Sequence, residues 1–284
     1  MTAIDSSTVP TCYVDAFGVR YAYRRFGNDG GGRPLLCLQH FTGTLDNWDP
    51  AIVDALARDR EIILFENAGV GRSGGQVPTS VAQMAEHVLR FVDALSLDTL
   101  HILGFSLGGF LAQEIAIARP ALVERMIVSG SAPEGGEGAG MDRPELLAIY
   151  TDAEMPMSEK LKRLFFPATQ EGQAAAAAFV ARLAARSAEP DLPAGPEVAS
   201  AQLQAMIAWA NWSGDVAQKL SRIRQPVLVT NGDDDRMIPT ANSFVLAQGL
   251  PNATLIVYPN SGHGALFQYA QTYVAHVTEF LRGA

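Results

Sequence analysis

Charge is scarce in this chain, and basic charge scarcer still. Only 18% of residues are charged, and 21 basic against 30 acidic side chains leave a net charge of −9. No stretch gathers lysine and arginine into a patch, which argues against nucleic acid or an anionic membrane surface as a partner. No apolar run approaches the length that spans a bilayer, and Met1 to Pro10 has neither the basic start nor the apolar run of a secretory leader. The expected location is the cytoplasm. Cysteine is limited to Cys12 and Cys37, both in strand patterns and without metal-ligand spacing, so buried thiols are expected in place of a disulfide or a metal site. Also missing are a Gly-x-Gly-x-x-Gly directly after a strand, a phosphate loop and an internal repeat, and no cofactor is expected. Apolar residues are abundant, at 48% of 284, enough for a core that buries about three-quarters of the unfolded surface.

The apolar pattern divides the chain. Tyr13 to Ala16 and Val19 to Phe26 alternate apolar and polar residues around Phe17-Gly18, the pattern of an antiparallel hairpin. Apolar runs then alternate with helical segments: strands Leu35 to Gln39, Ile62 to Phe65, Leu100 to Leu103 and Val123 to Ser129, with helices near Asp46 to Arg58, at Ser80 to Leu95 and, directly after the turn at Ser106, up to Arg119. This predicts an α/β fold, a mostly parallel twisted sheet with helices on both faces. Between Ser131 and about Gly214 the strand pattern stops. A glycine-rich linker, Glu134 to Gly140, leads into helical pieces at 144–150, 158–165, 173–186 and 197–212. The rhythm resumes with strand Val227 to Thr230, helix Thr240 to Leu250, strand Leu255 to Tyr258 and a last helix from Ala265 to Leu281. The expected organisation is one α/β core, residues 1–130 and 214–284, interrupted by a helical lid at 131–213.

Gly-x-Ser-x-Gly occurs twice, at Gly104 to Gly108 and at Gly71 to Gly75. Only Ser106 has a strand directly before it and a helix directly after, the context a nucleophile elbow needs. Ser73 stands several residues past its strand and well before the next helix, so it is read as part of a turn. A serine hydroxyl needs a base to take its proton. Of five histidines, His263 alone sits in a breaker-rich loop, Pro259 to Gly264, at the carboxyl edge of the sheet, where sites form in open parallel sheets. His101 opens a strand, His87 and His276 fall within helices, and all three are read as structural. An imidazole base needs an acid behind it. The strand ending at Thr230 delivers Asp233, Asp234 and Asp235 to the same edge, and burying all three is too costly. The pattern predicts that one turns inward and leaves open which.

In these segments the chain resembles the α/β-hydrolase superfamily over essentially its whole length, in the serine-nucleophile, esterase-like branch with a helical lid. The order Ser106, Asp235, His263 is that superfamily's order, and Gly232 to Pro239 fits its Gly-x-x-Asp-x-x-x-Pro acid loop. The resemblance therefore implies Asp235 as the acid, with Asp234 as the alternative. It further implies an oxyanion hole from the amides of Leu107 and Phe41, the latter by aligning Gln39-His40-Phe41 with the family's His-Gly-x. There His40 stands where glycine is usual. Phe65 to Ser73 resembles the family's Asp-x-Arg-Gly-x-Gly-x-Ser turn, with Glu66 and Ala68 in the variable places, and is read as scaffold.

A Ser-His-Asp triad with two amide donors predicts acyl transfer in two steps, with a small-molecule substrate and no metal. Met155, Met157, Phe165, Phe166, Met206, Trp209 and Trp212 supply apolar surface to the lid, and from them Phe165, Met206 and Trp209, together with His40, are expected to contact a largely apolar substrate. Esters lead. Lactones, thioesters, carbon-carbon bonds beside a carbonyl and cofactor-free haloperoxidase or perhydrolase chemistry share the triad, although Leu107 departs from the haloperoxidase elbow. Ser106 argues against haloalkane dehalogenase and epoxide hydrolase activity, both of which use an aspartate there. A ligand receptor on the same fold is the non-enzymatic alternative.

Overall fold

In the computed structural model, residues 5–30, 32–141, 143–186 and 188–283 are described. Strands β1 (Cys12–Ala16) and β2 (Val19–Gly27) form the expected hairpin, in the register Cys12 to Tyr23 through Ala16 to Val19. Six more follow: β3 (Leu35–Leu38), β4 (Glu61–Phe65), β5 (Leu100–Phe105), β6 (Val123–Ser129), β7 (Val227–Gly232) and β8 (Ala253–Tyr258). The single sheet has the order β1-β2-β4-β3-β5-β6-β7-β8, antiparallel at β1/β2 and β2/β4 and parallel from β4 onward. Strands β3 and β5 are buried along their whole length, as strands covered on both faces must be.

The chain runs from β3 outward to β4 and then returns to lay β5 on the other side of β3. That reversal is a switch point, and the loops leaving β3 and β5 face each other across its crevice. Leu38 pairs with Gly104, Phe105 with Ser129, Ser129 with Thr230, and Gly232 with Tyr258. The turns after β3, β5, β7 and β8 thus open on one edge.

The helices are α1 (Pro50–Leu56), α2 (Val81–Ala94), α3 (Leu107–Ala118), α4 (Pro144–Thr151), α5 (Met157–Phe165), α6 (Gln170–Leu183), α7 (Pro196–Ala210), α8 (Val216–Leu220), α9 (Ala241–Gly249), α10 (Ala265–Gln268) and α11 (Ala270–Arg282). Some details differ from the sequence reading. The helix expected near Asp46 to Arg58 is a 3-10 turn at Leu45–Asn47 followed by α1, which starts at Pro50 behind the Asp49 cap; proline favours a first helical position. The last helix is broken at Tyr269 into α10 and α11. Helix α8, capped by Asp215, is only five residues long and carries too little periodicity to be read. Of the two thiols expected to be buried, Cys37 is, whereas Cys12, at the start of edge strand β1, is half-buried.

Helices α4 to α7 lie between β6 and β7 and are fastened to the core by buried and half-buried ion pairs. Arg24 of β2, 2% exposed, reaches Asp46 at 2.7 Å and Asp191 at 3.0 Å. Asp46 and Asp191 also accept each other's backbone N–H, at 2.7 and 2.8 Å. Arg182 of α6 binds Asp49 through two bonds of 2.8 and 2.7 Å. Buried arginine persists only when paired, and here the pairing joins the helical segment to the core.

Candidate active site

Ser106 is the single residue between β5 and α3, with φ 55° and ψ −119°. A non-glycine residue at positive φ is costly and is held only by its surroundings. The neighbours explain why glycines flank it. A Cβ on Gly104 would collide with the carbonyl of Gly108, and one on Gly108 with the carbonyl of Leu38. Ser106 N–H donates to Ser129 O, and its own carbonyl accepts from Ser131 Oγ, both at 2.9 Å. The turn is therefore locked from β6.

His263 and Asp235 meet across the ends of β8 and β7. Nδ1 of His263 donates to Asp235 Oδ2 at 2.8 Å, both side chains being fully buried. Asp235 Oδ1 accepts from the Met237 and Ile238 N–H groups, both at 2.9 Å. Asp233 turns its carboxylate to the N–H groups of Asn260 and Ser261 and so braces the histidine loop, while Asp234 is exposed. Because Nδ1 faces a carboxylate, the free tautomer presents Nε2 as an acceptor, and Nε2 is buried with no partner among the described residues.

Past β3, residues 40–43 form a tight turn in which Gly43 N–H donates to His40 O at 3.0 Å. His40 N–H donates to Gln39 Oε1 at 2.9 Å and Thr42 N–H to Gln202 Oε1 at 2.6 Å. The Phe41 N–H alone in this turn has no acceptor among the described residues. Buried orphan amides are rare. Leu107, first residue of α3, carries one of the amides a helix leaves without an internal partner.

A cavity of about 240 Å3 is lined by Ser106, His263, His40 and Phe41, by Met157, Leu161, Leu164 and Phe165 of α5, and by Tyr150, Met237 and residues 191–194. Thr42, Thr44, Asp46 and Asn47 complete the wall. Of the substrate contacts expected from sequence, His40 and Phe165 line this cavity. Met206 and Trp209 do not. Trp209 stacks on Phe110 of α3 with ring centroids 5.0 Å apart, and both residues are buried in the core. Tyr150, Leu161, Leu164 and the 191–194 loop also line it, beyond the residues expected from sequence. The α5 pair falls on an i, i+4, i+7, i+8 stripe with Met157 and Phe165 that the helical period predicts; the loop carries no such signal.

The sequence profile of the alpha/beta hydrolase fold family matches residues 33–269. The chain belongs to this family. A solved alpha/beta hydrolase fold protein from Chitinophaga pinensis superposes with a TM-score of 0.93 at 37% identity, covering 99% of this chain and all of that one. Two curated relatives are each 29% identical. The "Putative carbamate hydrolase RutD" of Caulobacter sp. (strain K31) aligns over 83% of this chain and 85% of its own length. The 2-hydroxy-6-oxononadienedioate/2-hydroxy-6-oxononatrienedioate hydrolase of Burkholderia vietnamiensis aligns over 99% of both chains.

Within this alpha/beta hydrolase the second Gly-x-Ser-x-Gly has another use. Ser73 Oγ donates to Glu66 O and accepts the Ala22 N–H, each at 2.9 Å. Glu66 in turn accepts from the N–H groups of Arg72, Ser73 and Leu45. Ser73→Ala would strand the Ala22 amide, so it is expected to cost about 1–3 kcal/mol in urea unfolding. Hydrolytic turnover by the folded variant should match wild type, and lost turnover at full folding would oppose this assignment.

Two of the remaining histidines are held by tyrosine hydroxyls, whereas His101 Nδ1 and His40 Nε2 are buried without a partner among the described residues. His87 bonds Tyr21 Oη at 2.6 Å and His276 bonds Tyr258 Oη at 3.0 Å. In His40, Nδ1 must be the donor to the Phe41 carbonyl, at 2.8 Å. Burial pushes its pKa down to about 4, with the charge of His263 acting in the same direction. Below pH 6.5 the unfolded chain takes up a proton that the native chain refuses until about pH 4. Stability is thus fully present above 6.5 and lost as the pH falls towards 4, by at most about 3 kcal/mol. Urea midpoints of wild type should fall across that window more steeply than those of His40→Gln; parallel curves would count against a buried neutral His40.

Proposed function

We propose that the protein is a serine hydrolase that cleaves an ester-type bond of a small, largely apolar substrate through an acyl-enzyme on Ser106. The observation that carries this reading is the imidazole of His263. Its Nδ1 is held at 2.8 Å by Asp235, and its residue lines one cavity with Ser106. Nε2 takes the Ser106 proton as Oγ bonds the substrate carbonyl carbon. The oxyanion then lies against the Phe41 and Leu107 amides, each such donor being worth about 10²–10³ in rate. Collapse expels the alkoxide, which takes the proton from His263. Water repeats the cycle, releasing the acid and restoring Ser106. Residues 131–213 act as a lid, with α5 contributing the apolar wall and His40 and Phe165 contacting substrate.

The cavity limits the substrate. About 240 Å3, against the roughly 150 Å3 of an engineered apolar cavity that holds benzene, suits a small substrate, so short acyl groups fit best. No lysine or arginine lines it among the described residues, while Asp46 and Asp191 do. Both carboxylates are ion-paired to Arg24, so the wall offers no free cation, among the described residues, to a dianionic substrate of the kind named for the Burkholderia relative. Neutral esters, lactones and carbamates remain compatible with it.

The test is a panel of p-nitrophenyl acetate, butyrate and octanoate with a lactone, a thioester and a carbamate. Acetate and butyrate should turn over faster than octanoate, with a burst of p-nitrophenol, and a fluorophosphonate should add its mass to Ser106 alone. A protein that binds these ligands, hydrolyses none and takes no label would instead be a receptor.

A further inference from the structure

The helical segment reaches into the turn that carries the Phe41 amide. Residues 40–43 close through Gly43 N–H to His40 O, with Thr42 at φ 57° and Phe41 outside the positive-φ residues. This is the type II pattern, which wants glycine at its third position. Threonine, being β-branched, is a poor occupant of that region. Flipping the central peptide would return Thr42 to negative φ, as in a type I turn, so something must hold the strained form.

Both ends of that peptide are held. The Phe41 carbonyl accepts from His40 Nδ1 at 2.8 Å, and the Thr42 N–H donates to Gln202 Oε1 at 2.6 Å. Gln202 belongs to α7, is fully buried and is not among the cavity-lining residues. Tyr150 of α4 adds a bond to Thr42 Oγ1 at 3.3 Å and packs on the Phe41 ring at 4.8 Å. Without the helical segment, one end of the peptide and the side chains of both central residues would be released.

We propose that Gln202 is a positioning residue, which holds the strained Phe41–Thr42 peptide so that the Phe41 amide meets the oxyanion only while the helical segment is docked. This role rests on the serine-hydrolase reading above. Misplacing a catalytic group by about 1 Å costs about 100-fold in rate.

The experiment compares kcat and KM for p-nitrophenyl acetate in Gln202→Met, Gln202→Glu, Thr42→Gly and the Thr42→Gly/Gln202→Met double variant, with circular dichroism to fix the folded fraction. Gln202→Met, which removes the acceptor at similar volume, should lower kcat by about 10- to 100-fold with KM nearly unchanged. Gln202→Glu keeps an acceptor oxygen in either protonation state and should stay close to wild type. Glycine enters positive φ without strain, so Thr42→Gly should restore most of the kcat lost in Gln202→Met. Should Gln202→Met fail to fold, Gln202→Asn, too short to reach Thr42, reads the same loss. An unchanged kcat, a loss equal in Gln202→Glu, or no recovery in the double variant would overturn the proposal while leaving the hydrolase reading intact. A wild type that turns over no ester would overturn both.

Discussion

Ser106→Ala is expected to lower kcat/KM on short esters by about 10⁴–10⁶-fold, the loss seen when the nucleophile of a cooperating triad is removed. It should do so without unfolding the protein. The residue's hydrogen bonds are made by its backbone, N–H to Ser129 O and carbonyl from Ser131 Oγ, and alanine keeps both. The strain at φ 55° belongs to the backbone and passes unchanged to alanine. The burst and the fluorophosphonate adduct should vanish while the melting temperature moves little. Ser73→Ala supplies the contrast, with lower stability and retained turnover. A Ser106→Ala protein that still hydrolysed esters at a tenth of the wild-type rate would end the acyl-enzyme mechanism.

The parts of this site that were legible in sequence are those set by local rules. A strand, one serine and a helix in immediate succession can only make a sharp turn, so Ser106 could be separated from Ser73 without coordinates. His263 could be assigned to a loop because Pro259, Asn260 and Gly262 forbid anything else. The parts that were not legible depend on side-chain choices made by packing. Met206 and Trp209 lie on α7, whose apolar residues are spread over more than one face, and the stacking of Trp209 on Phe110 decides which face turns inward. Arg24 reads as the polar position of an edge hairpin, yet it is buried because Asp46 and Asp191, 22 and 167 positions away, converge on it. Thr42 sits at a backbone angle its side chain disfavours, and only a residue from a distant helix makes that angle tenable.

The three consecutive aspartates show the same division, and they carry the second large prediction. Sequence requires that one turn inward; the hydrogen bonds distinguish them. Asp235→Asn is expected to lower kcat by about 10⁴-fold. The asparagine carbonyl would keep the Met237 and Ile238 amides now bound by Oδ1, so the loop should hold its shape. Its NH2 group would then face His263 Nδ1, which must become the acceptor and leave the proton on Nε2. An imidazole in that tautomer cannot take the proton of Ser106. KM should move little, because Asp235 is not among the residues that line the cavity. Asp234→Asn, at an exposed position, should behave as wild type. Asp233→Asn should fall between them, since Asp233 braces Asn260 and Ser261 and reaches His263 only through that loop. If Asp234→Asn abolished turnover and Asp235→Asn spared it, the acid of the triad would have to be reassigned, and with it the tautomer on which the whole mechanism depends.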